Sequence, residues 1–461
     1  MNGSEDVSRT AMMSLGEAAR GAGGVAHGEA LFSGVTSDSR AVDAGDLFVA
    51  LVGDRFDGHS YVPEAVHRGA VAAMVSRPLE SDPAIAHVVV DDTRLALGRL
   101  AGFWRGRFAL PLVALTGSNG KTTVKEMIAA ILAAHAGTRE AVLATRGNLN
   151  NDIGMPLTLL GLREDHRYAV IEMGMNHAGE IEYLTRIARP TVALVNNAQR
   201  AHVGLLGSLE AVAHAKGEIY SGLSATGVAV VNADDPHAAY WKSLNSGRRI
   251  VTFGLSAADV TASRGEGGHR FATPGGGFSV ALQVRGEHNL RNALAACAAA
   301  YALGIPEGAM RAGLAAFGGV PGRLQRRVAA SGAVVIDDTY NANPESMKAA
   351  ISVLAAEPGR RVFVMGDMGE LGADAPLMHA EVGDFAREAG IDALMGFGEA
   401  SRHAVQSFGR GATYFEDVEP LIRAASREAE RGATLLVKGS RFMRMERISD
   451  AVAGEGGGHA V

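Results

Sequence analysis

Residues 114–127 read ALTGSNGKTTVKEM: the end of an apolar strand, a glycine turn and the start of a helix. The phosphate-loop form is G-x-x-x-x-G-K-[ST]. Here Leu115 stands at the first glycine position, and T-G-S-N-G-K-T remains, with Gly117, Gly120, Lys121 and Thr122 in place. The physics of the loop survives that change. Glycines let backbone N–H groups close on phosphate oxygens, the helix N-terminus supplies positive potential, the lysine reaches the β and γ phosphates, and the hydroxyl ligates Mg²⁺. No N-K-x-D guanine reader follows a later strand, which argues for ATP and against a hydrolysing switch. The loop alone does not say what receives the phosphoryl group.

Outward from the loop, LPLVALTG opens a βαβ alternation that continues through YAVIEMG, TVALVNN and GVAVVNADD. These runs lack period-two polarity, as expected of parallel strands buried on both faces. Upstream, DLFVALV, AAMVS and HVVVDD read as short strands around the helical stretches YVPEAVHRG and TRLALGRLAGFW, a separate α/β unit ending near Arg107. Between 259 and 285 the pattern changes. FSVALQV alternates Phe278, Val280, Leu282 and Val284, which suits an antiparallel strand with one wet face. After the helix HNLRNALAACAAAYALG, the Gly-Pro-rich stretch 318–322 marks a second boundary. A third α/β series comes next: GAVVIDDTY, RRVFVMGDMG, DALMGFG and ATLLVKGS. The expectation is three α/β domains in series, 1–107, 108–320 and 321–461.

The chain of 461 residues is too long for one hydrophobic core, and 47% hydrophobic with 20% charged residues is ordinary for a folded globular protein. Its 44 basic and 50 acidic residues, net −6, form no electrostatic footprint for nucleic acid or an anionic membrane. The single cysteine, Cys297, excludes an intrachain disulfide framework and fits a reducing compartment. The first residues carry no apolar signal segment, and no stretch approaches the roughly 20 apolar residues that span a bilayer. A cytoplasmic location without membrane insertion is expected.

Several charged side chains fall where the pattern calls for apolar ones. Glu172 ends the strand YAVIE, where it either holds a cation beside the phosphates or is a solvated carboxylate. His202 follows the strand TVALVNN. Ligands of open α/β sheets collect outside the carboxyl ends of the strands, so Lys121, Glu172 and His202 converge if the topology is doubly wound. Lys216 occupies a core-face slot between Val212, Ala213 and Ile219, Tyr220. A bare buried ammonium is costly, so either its head reaches water along apolar surface or it faces a polyphosphate and metal site. Asn289 and Asn292 open a helix, where asparagine is usually a cap. Arg323 lies in the glycine-proline linker, able to swing onto phosphate or to stay solvated. Asp338 and Lys438 each end a third-domain strand, like a second site facing the first.

In this order the motifs SDSR, GDLFVAL, DGH, TGSNGKT, GNLNNDIGMP, EMGMNHAGEI, AKGEI, GEHNLRN, DDTYNANPESM and KGSR resemble those of the Mur ligase family, from about residue 31 to 450. These are ATP-dependent amide-forming enzymes of peptidoglycan precursor synthesis. The resemblance implies a central P-loop doubly wound domain flanked by an N-terminal UDP-substrate domain and a C-terminal Rossmann-like domain. Within the family, GNLNNDIGMP and DDTYNANPESM are similar to the member that adds D-alanyl-D-alanine to a UDP-N-acetylmuramoyl-tripeptide. The diaminopimelate-adding relative typically carries D-N-P-R, where this chain has Asn343-Pro344-Glu345.

The resemblance also implies roles. Gly117, Ser118, Asn119, Gly120, Lys121, Thr122 and Thr123 would bind the ATP phosphates, and Asn289, Asn292, Arg323 and Asp338 would contact the nucleotide. Thr122, Glu172, His202 and Lys216, the last as a carbamate, would hold Mg²⁺; Lys121, Lys216 and His202 would be catalytic. Ser37, Asp38, Ser39 and Arg40 would lie at the uridine-diphosphate end and Asn148 and Asn151 near the muramoyl peptide. Tyr340, Asn341, Asn343 and Lys438 would lie on the substrate side of the third domain. The implied reaction makes an acyl phosphate that the dipeptide amine attacks, in a monomer whose domains close on the substrates. Gly204 replaces the acidic residue that family members often carry two positions after the histidine. The alternatives are a sibling ligase, such as folylpolyglutamate synthase or the diaminopimelate-adding enzyme, and a non-catalytic ATP-binding scaffold.

Overall fold

Leu112–Thr116, the strand that feeds the phosphate loop, is buried along its whole length. In a strand, successive side chains point to opposite faces, so an unbroken apolar run needs a core on each side. Leu112 and Ala114 enter one core with Ala169, Ile171, Ala193 and Val195, while Val113 and Leu115 enter another with Val170, Val192 and Leu194. The computed structural model in which this is seen describes residues 10–53, 56–79, 85–201 and 203–454.

Six parallel strands form the middle sheet, in the order Val142–Ala144, Tyr168–Glu172, Leu112–Thr116, Val192–Val195, Val228–Asn232, Arg249–Phe253. The strand order reverses beside Leu112–Thr116. The next strand of the chain lies two places to one side and Val192–Val195 lies on the other, which opens a crevice at their carboxyl ends. Register sets Leu115 opposite Glu172 and Thr116 opposite Val195, so the loop after Thr116 emerges level with both flanking strand ends. The helices Lys121–Ala136 and Glu287–Ala302 cover one face.

The first unit is a five-stranded sheet ordered Val25–His27, His87–Val89, Ala72–Val75, Asp46–Val49, Gly34–Thr36, with only the pair Val25–His27 and His87–Val89 antiparallel. It shares a core with the middle unit. Leu97, Leu100 and Trp104 of the helix Thr93–Arg105 pack in the same cluster as Met155 and Leu159, and Trp104 Nε1 donates to Leu162 O at 3.1 Å. Buried Arg105 bridges the joint by donating to Ala188 O at 3.0 Å and to Phe108 O at 2.5 Å. The third unit is a six-stranded sheet, antiparallel only at its Gln325–Val328 edge, with its own cluster on each face.

Residues 261–280 form the expected antiparallel excursion, Thr261–Gly265, Gly268–Thr273 and Gly276–Val280, with Phe271 and Phe278 stacked at 5.3 Å. The pairing stops at Val280, opposite His269, because the partner strand begins at Gly268; Leu282 and Val284 keep the alternating burial without a partner strand. Among the described residues no helix is long and apolar enough to cross a membrane.

The helix Leu209–Gly217 is pinned from outside the sheet by Trp241, fully buried, whose Nε1 donates to Ala213 O at 3.0 Å. Trp241→Ala removes that packing and leaves a buried carbonyl without its donor. A loss of about 3–5 kcal/mol is expected, to be read from urea denaturation followed by circular dichroism.

Candidate active site

The phosphate loop turns on Gly120, whose φ of 78° is left-handed. A Cβ there would meet Asn292 Oδ1 at 2.3 Å and Asn196 Nδ2 at 2.7 Å, so only glycine fits both the angle and the space. The residues just past the neighbouring strand Val192–Val195 hold the loop in place. Ser118 N donates to Asn197 O at 3.0 Å, Asn119 N to Asn197 Oδ1 at 2.9 Å, and Gln199 N to Ser118 Oγ at 2.8 Å. Asn196 Nδ2 donates to Asn119 O at 2.9 Å and to Asn292 Oδ1 at 3.2 Å; Asn292 Nδ2 donates to Asn289 Oδ1 at 3.3 Å. Asn289 and Asn292 are therefore no caps. The cap position of their helix is Gly286, and both asparagines are buried in the amide network beneath the loop.

Lys121 Nζ donates to Gly117 O at 2.7 Å and Ser118 O at 3.3 Å. Burial lowers its pKa, with the Glu172 carboxylate opposing that shift and Arg323 adding to it. Glu172 is 2% exposed: Oε1 accepts from Asn150 Nδ2 at 2.8 Å, while buried Oε2 has no partner. Lys216 is 1% exposed, so its head does not reach bulk water. Burial first, and the nearby Lys121 cation second, push its pKa well below that of an ordinary lysine. Among the described residues no carboxylate pairs with it. His202 lies outside the described residues.

The third unit supplies the opposite wall. Arg323 Nη2 donates to Thr122 Oγ1 at 3.0 Å, and its guanidinium lies 4.0 Å from the centroid of the Tyr340 ring. Lys438 Nζ pairs with Asp338 Oδ2 at 2.6 Å and donates to Asn341 O at 2.8 Å. Asn343 caps the helix Pro344–Ala355 through Ser346 N and also exchanges amide hydrogen bonds with Asn119, at 2.8 and 3.2 Å. One cavity of about 1180 Å³ runs between these walls, lined by Ser118, Lys121, Thr123, Asn151, Glu172, Asn289, Arg323 and Lys438 among others.

The geometry does not bring every expected residue there. Asp38 pairs with Arg40 at 2.8 Å, and the Arg40 hydrogen bond is the main reason its carboxyl sits at about 2. Ser39 Oγ donates to Glu64 Oε2 at 3.2 Å, and half-buried Ser37 precedes this turn; the four residues follow the edge strand Gly34–Thr36 of the first sheet and do not line the cavity. Asn148 is exposed and is also not on those walls. Conversely, Asn150, Asn196, Asn197, Gln199 and Arg200 are structural members that sequence reasoning passed over. The available signal was the same strand-end rule that selected Glu172, applied to the polar run after TVALV.

Among the described residues no three His, Cys, Asp or Glu side chains cluster as a metal site. Oxygen donors at the loop include the Thr122 hydroxyl at the helix start and, at the neighbouring strand end, the orphaned Glu172 Oε2, chemistry that suits a hard cation such as Mg²⁺. Backbone N–H groups at a helix start, a loop lysine, a carboxylate and an arginine from a second domain together make a site for a polyphosphate with a divalent cation.

Three family descriptions match the chain: "Mur ligase family, catalytic domain" over 31–105, "Mur ligase middle domain" over 115–300 and "Mur ligase, glutamate ligase domain" over 322–441. A UDP-N-acetylmuramoyl-tripeptide–D-alanyl-D-alanine ligase of Escherichia coli K12 is 46% identical over 92% of this chain and 94% of its own. The crystal structure of MurF from Acinetobacter baumannii superposes with a TM-score of 0.89 at 38% identity, covering 96% and 98% of the two chains. That of MurF from Thermotoga maritima in complex with ADP gives 0.78 at 29%, covering 91% and 97%. The three-domain α/β fold, the phosphate loop with Lys121 and the ordered motifs of all three units have one source: this chain belongs to the Mur ligase family.

Proposed function

We propose that this chain joins D-alanyl-D-alanine to UDP-N-acetylmuramoyl-tripeptide at the cost of ATP, releasing ADP and phosphate. The observation that carries this reading is the cavity itself. The Lys121 loop and Glu172 on one wall face Arg323, Asn343 and Lys438 on the other, in a chain 46% identical to a ligase of that name. In this scheme 1–107 takes the UDP-linked substrate through Ser37–Arg40, 108–320 takes ATP, and 321–461 takes the dipeptide beside Tyr340, Asn341, Asn343 and Lys438.

The chemistry is dictated by charge. A carboxylate is a poor electrophile, so the γ-phosphoryl group passes to the tripeptide carboxylate and the ADP oxygen leaves with the bond electrons. The neutral dipeptide amine attacks the acyl carbon, the C–O bond to phosphate breaks as the C–N bond forms, and the nitrogen loses a proton to the departing phosphate or to water. Bringing triphosphate and carboxylate together crowds negative charge, and Lys121 and Arg323 lie where they can offset it. Thr122, Glu172, His202 and Lys216 would hold Mg²⁺, which supplies charge neutralisation when bound. Asn289 and Asn292 shape the nucleotide end, and the third domain screens the acyl phosphate from water. One chain supplies every group, so a monomer suffices, and a reaction fed by ATP and a UDP-linked peptide suits the cytoplasm.

Lys216 fits as a carbamate. Burial and the Lys121 cation both disfavour its ammonium form, and the neutral amine's nitrogen can attack CO₂ and lose a proton, giving an anion that attracts Lys121. Lys216→Ala should lower turnover by roughly 100-fold or more, with partial recovery on adding short carboxylates; full activity without them would sink the carbamate. Gly120→Ala combines the 78° φ with contacts of 2.3 and 2.7 Å. Calorimetric titration with ADP should show affinity reduced by about tenfold or more. With UDP-muramoyl-tripeptide present, phosphate release should occur with D-alanyl-D-alanine and not with diaminopimelate or glutamate. Release with glutamate or diaminopimelate would favour a sibling ligase, and release with none of them a binding protein.

A further inference from the structure

Arg200 lies in the loop after Val192–Val195, next to Gln199, which accepts from Asn119 Nδ2 of the phosphate loop at 2.5 Å. Its own side chain crosses to the third domain. Nη1 and Nη2 donate to the two carboxylate oxygens of Glu381 at 2.9 and 3.1 Å, and Nε donates to Glu345 Oε1 at 2.5 Å. Glu345 lies in the first turn of the helix Pro344–Ala355 and Glu381 on Ala375–Glu388, so one guanidinium ties two helices together. Lys348 Nζ reaches Glu381 Oε1 at 2.5 Å and lies 5.6 Å from the centroid of the Phe385 ring, which holds that carboxylate in place from its own domain.

This junction is held mainly by polar contacts. The apolar clusters of the third domain draw only on residues 324–453, and those of the rest of the chain stop at Val320. Among the described residues, the contacts that cross here include the Asn119–Asn343 amide pair, Arg323 to Thr122, Gly204 N to Glu370 O at 3.3 Å, Arg285 Nη1 to Glu357 Oε1 at 3.3 Å, and the Arg200 network. Of these, the fork on Glu381 is the bidentate, charge-assisted contact, the kind that fixes orientation as well as distance.

We propose that Arg200 is a positioning residue: by gripping Glu381 and Glu345 it docks the third domain on the phosphate loop and sets where the incoming amine meets the ATP-bearing wall. This rests on the ligase reading above. Without the grip, the Asn119–Asn343 pair and the other crossing hydrogen bonds remain but hold the domain less firmly, and the acceptor spends less time in line with the acyl group.

Arg200→Gln and Glu381→Gln approach the contact from opposite domains, and both side chains are about one-third exposed, so folding is preserved. Each should raise KM for D-alanyl-D-alanine by roughly tenfold, with ATP affinity measured without acceptor unchanged. The loss in the double variant should be clearly less than the sum of the two, since both variants remove the shared Arg200–Glu381 fork. Arg200→Lys should recover part of the loss, and added salt should raise KM in the parent protein but not in the Gln variants. Small-angle scattering with ATP alone should show a larger radius of gyration in both Gln variants. This readout needs no turnover, so it tests the grip even if D-alanyl-D-alanine proves not to be the acceptor. Unchanged KM and scattering in both single variants, or additive losses in the double, would overturn the proposal.

Discussion

Everything at the site depends on the close approach of Gly120 to Asn196 and Asn292. A bare α-carbon in a left-handed turn lets the amides from the next strand end and from the helix Glu287–Ala302 sit directly beneath the loop. With a side chain there, the loop could not lie on its amide bed, and its N–H groups would lose the direction that binding phosphate requires. The same amides bond one another, so the strand order of the sheet and the shape of the phosphate loop are a single constraint.

The two joints of the chain are built from different physics. The first unit meets the middle one through a continuous apolar core that includes Leu97, Trp104, Met155 and Leu159, with Arg105 stitched to three carbonyls across the connection. Such a joint is rigid, because moving it would expose apolar surface. The third unit has its own cores and meets the loop through hydrogen bonds and ion pairs, which can be exchanged for water at small net cost. In the proposed scheme a UDP-linked substrate on the first domain would thus be held relative to ATP, and the domain proposed to take the dipeptide would be the one able to swing.

Legibility in the sequence tracked the range of the interaction. The buried parallel strands showed as unbroken apolar runs, and the antiparallel hairpins as alternation, because both patterns are written in neighbouring residues. Glu172 and Lys216 showed because a charge in an apolar slot is a local anomaly. Asn289 and Asn292 were visible but pointed the wrong way from their residue type alone, since a helix-start asparagine usually caps. Asn196, Asn197 and Gln199 drew no notice. Polar residues after a strand are common, and only the neighbouring strand's identity makes these three the supports of the loop.

By itself, the sequence determined the strand and helix types, the phosphate loop, the oddly placed charges and the family. All of these depend on residues a few positions apart or on ordered motifs. Only the tertiary structure decided that Lys216 is shut away from water beside Lys121, and that Glu172 keeps one oxygen unpartnered. It also decided that Asn343, capping a helix 224 residues away, touches Asn119 of the loop, and that Arg200 reaches Glu381 across 181 residues. The reason is physical: burial and pairing belong to the sum of every element packed around a side chain, and strand order and domain docking set that sum, not the local run of residues.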